Sequence, residues 1–253
     1  MKGYALITGA SSGFGEAIAQ SLAKEGYSLI IAARRTERLE SLKANLSHLP
    51  VQIEMLTVDV RDEQSVISAL ASLSDSVKDH IEILVNNAGL AVGRGPIDQG
   101  ISDDWNRMID TNIKGLLYVT KAVVPYLKKQ KNGHIVNIAS IAGKEVYAGG
   151  NVYCASKHAV DALSRSMRID LVSFGIKVTN IAPGAAETEF SLVRFKGDQE
   201  TADSVYEGYE ALQAQDIADS VLFAVTRPAH VNISDITIMP TAQASTSILH
   251  KES

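Results

Sequence analysis

The sequence predicts one α/β domain, a doubly wound parallel sheet of about seven strands with helices on both faces. Three observations predict it. Apolar runs of strand length recur at 4–8, 28–33, 51–57, 81–85, 134–139, 176–182 and 235–239. Segments of helical periodicity fall between them, near 13–25, 36–47, 62–73, 102–130, 152–174 and 215–226. No linker, repeat or low-complexity stretch breaks the 253 residues, so the whole chain, 1–253, reads as a single domain.

The first three elements carry the first functional signal. The run Tyr4-Ala-Leu-Ile-Thr8 has the length of a buried strand, and Gly9-Ala-Ser-Ser-Gly13-Phe14-Gly15 follows it at once. The next segment, to Glu25, has apolar residues at 18, 19, 22 and 23, on one helical face. Strand, glycine turn and helix in this order make a dinucleotide-binding unit of the Rossmann type. The glycines let the backbone approach a pyrophosphate, and the helix N-terminus offers it free N–H groups and a positive dipole end. The spacing is G-x-x-x-G-x-G rather than the commoner G-x-G-x-x-G.

The second strand points to one cofactor. A unit specific for NAD usually has an acidic residue ~20 positions past the glycine turn, to accept from ribose hydroxyls. Eighteen residues past Gly15 stands Ala33, followed by Arg34 and Arg35. Guanidinium groups bind phosphate in a forked geometry and stay charged at any working pH, so this pair suits the 2′-phosphate of NADP. Ser11 or Ser12 adds a hydroxyl to that site.

The fifth and sixth runs frame a reactive group. Tyr153 and Lys157 are four residues apart, on one face of the helix expected over 152–174. A lysine ammonium beside a phenol is expected to lower the phenol's pKa from its free value of ~10 and to make it a proton donor and acceptor near neutral pH. Ser140 ends the run from His134, where its hydroxyl can hold a carbonyl oxygen while Tyr153 protonates it. The segment 184–213, after the sixth run, is the least regular part of the chain and is expected to form a lid over the substrate. Arg194 in that segment, flanked by Val193 and Phe195, is the expected anchor for a substrate anion, with Lys144 in reserve.

These motifs, Thr8-Gly-Ala-Ser-Ser-Gly-Phe-Gly15, Asp59-Val60, Asn86-Asn-Ala88-Gly89, Asn112, Ser140, Tyr153-x-x-x-Lys157 and Pro183-Gly184, resemble in kind and order the short-chain dehydrogenase/reductase family. The resemblance spans essentially the whole chain. It implies that Asp59 accepts from the adenine amino group, that Asn86 lines the adenine ribose, and that Val60, Ala88 and Gly89 border the cofactor. It further implies that Lys157 binds the nicotinamide ribose, that Asn112 holds a water relaying protons to Lys157, and that Pro183, Gly184 and Thr188 line the nicotinamide end. Ala185 and Ala186 stand where the family usually carries larger apolar residues, so ring packing there is expected to be looser. Tyr147-Ala-Gly-Gly-Asn-Val-Tyr153 and the stretch from Glu187 to Asp198 look like the NADP-dependent 3-hydroxy acid dehydrogenase branch. Serine dehydrogenases and malonic semialdehyde reductases belong to it, and sulfoacetaldehyde reductases are near relatives.

The resemblance thus implies an NADP-dependent oxidoreductase acting on a small anionic hydroxy compound, such as 3-hydroxypropionate or serine, and its semialdehyde. The alternatives are a sulfoacetaldehyde reductase forming isethionate and a catalytically silent NADP-binding sensor on the same fold. A homotetramer is expected from the family.

Composition bounds the rest. Twenty-four Lys and Arg against twenty-nine Asp and Glu give a net charge of −5, which argues against a nucleic-acid partner held by a basic surface. Cys154 is the only cysteine, so no intrachain disulfide forms and a reducing compartment fits. It is expected to be buried and inert. The six histidines show no paired ligand spacing, so no metal is expected. No apolar run approaches the ~20 residues of a membrane span. Met1 leads almost at once into the first strand, leaving no room for a cleavable signal, and a cytoplasmic protein is expected.

Overall fold

The computed structural model describes residues 2–251. Among them, seven strands pair in parallel: β1 Tyr4–Thr8, β2 Ser28–Ala33, β3 Ile53–Thr57, β4 Ile81–Asn86, β5 Gly133–Ile138, β6 Ile176–Pro183 and β7 Asp235–Ile238. The spatial order is β3-β2-β1-β4-β5-β6-β7. The chain winds outward from β1 to β3, then returns to the other side of β1 with β4. That reversal opens a crevice outside the carboxyl ends of β1 and β4.

The strands read as continuous apolar runs because both faces of the sheet are covered. On one face Ala5, Ile7, Leu29 and Ile31 pack against helices α1 Gly13–Lys24 and α2 Thr36–Asn45. On the other, Leu6, Ile30 and Leu84 meet α3 Glu63–Ala71 and the short α4 Asp75–Lys78. The helical stretch expected over 102–130 is interrupted: α5 Ser102–Ile109 and α6 Leu116–Gln130 flank a π-helical turn, Asp110–Gly115. Such a turn breaks the regular i→i−4 ladder and is frequent at functional sites; Asn112 lies inside it. Helix α7, Asn151–Leu171, lies on the same face against α5 and the π-helical turn and sends Val160 and Met167 into the core.

The segment after β6 is less irregular than expected. It holds α8 Glu189–Arg194 and α9 Gln199–Ser204. Thr188 caps the first by accepting from the Phe190 amide at 3.3 Å, and Asp198 caps the second by accepting from the Thr201 amide at 3.1 Å. Helix α10, Ala214–Val225, then packs beside α1. Among the described residues no helix is long and apolar enough to cross a membrane.

Candidate active site

A cleft of about 820 Å³ opens at the crevice, with the glycine turn at one end and α8 over the other. Gly9, Ser11, Ser12, Gly13 and Phe14 line it; Gly15 lies beneath the turn, against the Gly9 carbonyl. Gly9 has φ +67°, and a Cβ there would stand 2.9 Å from the Asn87 amide nitrogen, so only glycine fits. The Asn87 side chain donates to the Thr8 carbonyl at 2.9 Å and the Gly9 carbonyl at 3.2 Å, stitching the turn to the end of β4.

Asn86 is a correction. Its side chain does not reach the cleft but donates, inside the core, to Thr120 Oγ1 and to Asn137 Oδ1, each at 2.9 Å. Asn86 ends β4 facing the core, whereas Asn87, just past the strand, turns to the glycine loop. Asn87, Ala88 and Gly89 line the cleft.

Arg34 and Arg35 both border the cleft. Arg35 Nη2 donates to Ser12 Oγ at 2.7 Å and to Ser11 Oγ at 3.2 Å. Ser12 occupies the N-cap of α1 yet makes no side-chain cap bond, so the first amides of α1 keep their donors for another acceptor. Left-handed glycine backbone, uncapped helix amides and a guanidinium–hydroxyl cluster fit a phosphorylated dinucleotide. Asp59 and Val60 line the same end. The Asp59 carboxylate is clamped by Arg61, from Nη2 at 2.6 Å and Nε at 3.0 Å, and this hydrogen bonding holds its pKa below the usual carboxylate range. Asp62 caps α3 by accepting from the Gln64 amide at 2.9 Å.

Ser140 stands just past β5, where its Oγ accepts from the Ala142 amide at 3.1 Å. Tyr153 and Lys157 project from one face of α7 into the same part of the cleft. Lys157 Nζ donates to the Ile138 carbonyl at 2.9 Å and lies 5.9 Å from the centre of the Tyr153 ring. Burial pushes the lysine down to about 8. Burial also raises the phenol, against the lowering effect of the Ser140 hydroxyl and the Arg194 cation. The expectation that Lys157 depresses the Tyr153 pKa is therefore corrected. Both groups are desolvated together, and desolvation disfavours the charged form of each.

Asn112 does not line the cleft. Its Oδ1 accepts from the Leu90 amide at 2.8 Å, and its Nδ2 donates to the Leu90 carbonyl at 2.9 Å and Ser156 Oγ at 3.0 Å. It stands behind Lys157: a Cβ on Gly89 would lie 3.3 Å from Asn112 Oδ1 and 3.4 Å from Lys157 Nζ.

Pro183, Gly184 and Thr188 line the far end, with Ala185 and Ala186. The Ala185 amide is held by Gln243 Oε1 at 2.8 Å, a contact from a segment without motif or periodicity. Arg194 ends α8. Its guanidinium carbon is 5.8 Å from the centre of the Tyr153 ring and 5.3 Å from that of Tyr147, whose hydroxyl accepts from Nη2 at 2.7 Å. Arg194 Nε is buried with no hydrogen-bond partner among the described residues. Lys144, the reserve candidate, is taken up by ion pairs with Asp161 and, at 2.6 Å, Asp235. Lys196 pairs with Asp104 at 2.8 Å. Arg194 lines the cleft and makes no ion pair among the described residues; Arg94, 5.9 Å from the centre of the Tyr147 ring, also lines it without one.

Residues 3–198 match the model of the short chain dehydrogenase family. The chain belongs to that family. It is 45% identical to the serine 3-dehydrogenase of Agrobacterium fabrum over 244 residues, 96% of each chain. It is 46% identical to sulfoacetaldehyde reductase 2 of Chromohalobacter salexigens over 245 residues, again 96% of each. Among solved structures, the closed form of a serine dehydrogenase complexed with NADP+ superposes with a TM-score of 0.91, at 43% identity, covering 99% of this chain and all of that one. As a short-chain dehydrogenase the protein is an oxidoreductase acting on a CH–OH group. Several cleft residues of this dehydrogenase carry no sequence signal, among them Asn87, Arg94 and Gln243.

Proposed function

We propose that this dehydrogenase uses NADP(H) to interconvert a small anionic hydroxy compound and its carbonyl form, with 3-hydroxy acids such as 3-hydroxypropionate and serine as first choice. The observation that carries the reading is Arg194. A half-buried guanidinium whose Nε is buried and unpartnered among the described residues stands over the ring of Tyr153, and such a donor binds an oxyanion strongly. The relatives named serine 3-dehydrogenase and the NADP+ complex support substrate class and cofactor.

Arg34 and Arg35, with Ser11 and Ser12, hold the 2′-phosphate. The turn from Gly9 to Phe14 and the first amides of α1 receive the pyrophosphate. The nicotinamide supplies or accepts the hydride at the substrate carbon. Ser140 holds the substrate oxygen by hydrogen bonding. Burial keeps Tyr153 a neutral phenol at neutral pH, the form that donates a proton to that oxygen during reduction; in oxidation it takes the proton back. Lys157 supplies a nearby positive charge when the phenol loses its proton. Asn112 fixes Leu90 and stands behind Lys157, where a relay to solvent would pass. The segment 184–213, with α8 and α9, serves as the lid and brings Phe190 and Arg194 to the substrate.

Sulfoacetaldehyde reduction to isethionate is the second reading, because a guanidinium accepts a sulfonate as readily as a carboxylate and a relative of equal similarity bears that name. A silent sensor would not need Ser140, Tyr153 and Lys157 gathered in one cleft. We place the protein in the cytoplasm as a homotetramer, built on apolar side chains that α6, α7 and the turn after α7 leave exposed, Leu117, Ile169 and Val172 among them. The test is a panel of small hydroxy acids and hydroxysulfonates with NADP+, ranked by kcat/KM. A 3-hydroxy acid at the top supports the reading, and a neutral alcohol or sterol at the top overturns it.

A further inference from the structure

Glu189 opens α8, immediately after its cap Thr188, and its carboxylate lies on the arginine cluster at the other end of the cleft. Arg35 Nη1 donates to Glu189 Oε2 at 3.1 Å, and Arg38 Nη2 stands 3.6 Å from Glu189 Oε1. The same Arg35 guanidinium holds both serine hydroxyls of the glycine turn. The carboxylate thus sits between two arginines, one of which also holds two hydroxyls. Arg35 and Glu189 are 46% and 45% exposed, so the pair contributes little to folding. The next residue, Phe190, sets its ring 5.8 Å from that of Tyr153. One turn of helix therefore joins the arginine cluster to the reacting phenol.

We propose that Glu189 is a placeholder for the 2′-phosphate of the cofactor. In the free protein it engages Arg35 and Arg38; the phosphate takes over Arg35, with Arg34 beside it, and frees the first turn of α8. The inference rests on the NADP reading above. A phosphate carries a charge of about −1.5 to −2 and three acceptor oxygens, so it outcompetes a carboxylate for guanidinium groups. Once bound, it repels Glu189. A nucleotide without that phosphate leaves the pair intact. Cofactor identity is in this way transmitted to the segment that carries Phe190 and Arg194.

The test is calorimetric titration of the full chain and of Glu189→Gln with adenosine 2′,5′-bisphosphate and with 5′-AMP. At low salt the bisphosphate should bind Glu189→Gln about 2–5-fold more tightly than the unaltered protein, as loss of one exposed ionic competitor implies. Binding of 5′-AMP should be equal in the two proteins, and the difference should close at high salt. Amide exchange in residues 189–194 should rise when the unaltered protein takes up bisphosphate, and should not respond to 5′-AMP. Bisphosphate binding that is unchanged or weaker in Glu189→Gln overturns the placeholder. Equal affinity of the unaltered protein for both nucleotides overturns the NADP reading itself.

Discussion

Lys157 donates to the Ile138 carbonyl at 2.9 Å while its ammonium stands 5.9 Å from the centre of the Tyr153 ring. The two side chains share a dry pocket in which each disfavours its own charged form. A phenolate formed there has the buried Lys157 beside it from α7 and the half-buried Arg194 from α8.

Replacing Tyr153 by Phe should abolish turnover and leave NADPH binding nearly intact, because the ring stays and only the proton-bearing oxygen goes. Lys157→Ala should harm both. Steady-state kinetics with a fluorescence titration of NADPH separates the two effects. Retention of a tenth or more of kcat in Tyr153→Phe would place the proton donor elsewhere.

Replacing Arg34 and Arg35 together by uncharged residues should raise KM for NADPH far more than for NADH. Each lost charge-assisted contact is worth ~1.5–3 kcal/mol. Equal efficiency of the unaltered protein with both cofactors would refute the assignment.

Strand and helix positions were legible because runs such as Leu29–Ala33 are buried on both faces and helices such as α1 carry a single apolar stripe. Side-chain direction and partnership were not. Asn86 and Asn87 are neighbours of the same type, yet Asn86 ends β4 facing the core and Asn87, just past the strand, turns to the cleft. Lys144 follows Ser140 closely, yet Asp161 and Asp235, distant in sequence, neutralise it. The effect of Lys157 on Tyr153 was inferred from spacing alone, which gives no measure of how deeply both are buried. Helices α8 and α9 depend on the caps Thr188 and Asp198 and are too short to show a period.

His134 should make the fold sensitive to acid. Its Nε2 lies 2.7 Å from Thr179 Oγ1, whose own proton goes to the Ile233 carbonyl, and its Nδ1 is buried without a partner. Burial, assisted by the Lys177 charge, pushes its pKa from 6.5 down to about 3. Between those values the unfolded chain binds a proton that the folded chain refuses. Stability is therefore unaffected by this residue above pH 6.5 and falls as pH drops through the window from 6.5 to about 3. The limiting slope is ~1.4 kcal/mol per pH unit. Urea midpoints at neutral and acid pH should converge in His134→Gln; the same loss in both proteins would contradict this.

Ile169 and Val172, at the end of α7 and just beyond it, are 76% and 68% exposed in the single chain. Such a surface suits a symmetric contact, and the tetramer expected from the family resemblance should appear by light scattering. A monomer at micromolar concentration would refute it, and Ile169→Lys should lower the assembly state.

The account turns on an anion held by Arg194 beside the reacting phenol. The most direct test compares Arg194→Met with the unaltered enzyme on a 3-hydroxy acid and on an uncharged alcohol of similar size, with NADP+. The account predicts a ~10–100-fold loss of kcat/KM on the acid, as removal of one charged hydrogen bond implies, and scarcely any loss on the alcohol. An equal loss on both would show that Arg194 only shapes the lid, and would contradict the assignment of a small anionic substrate.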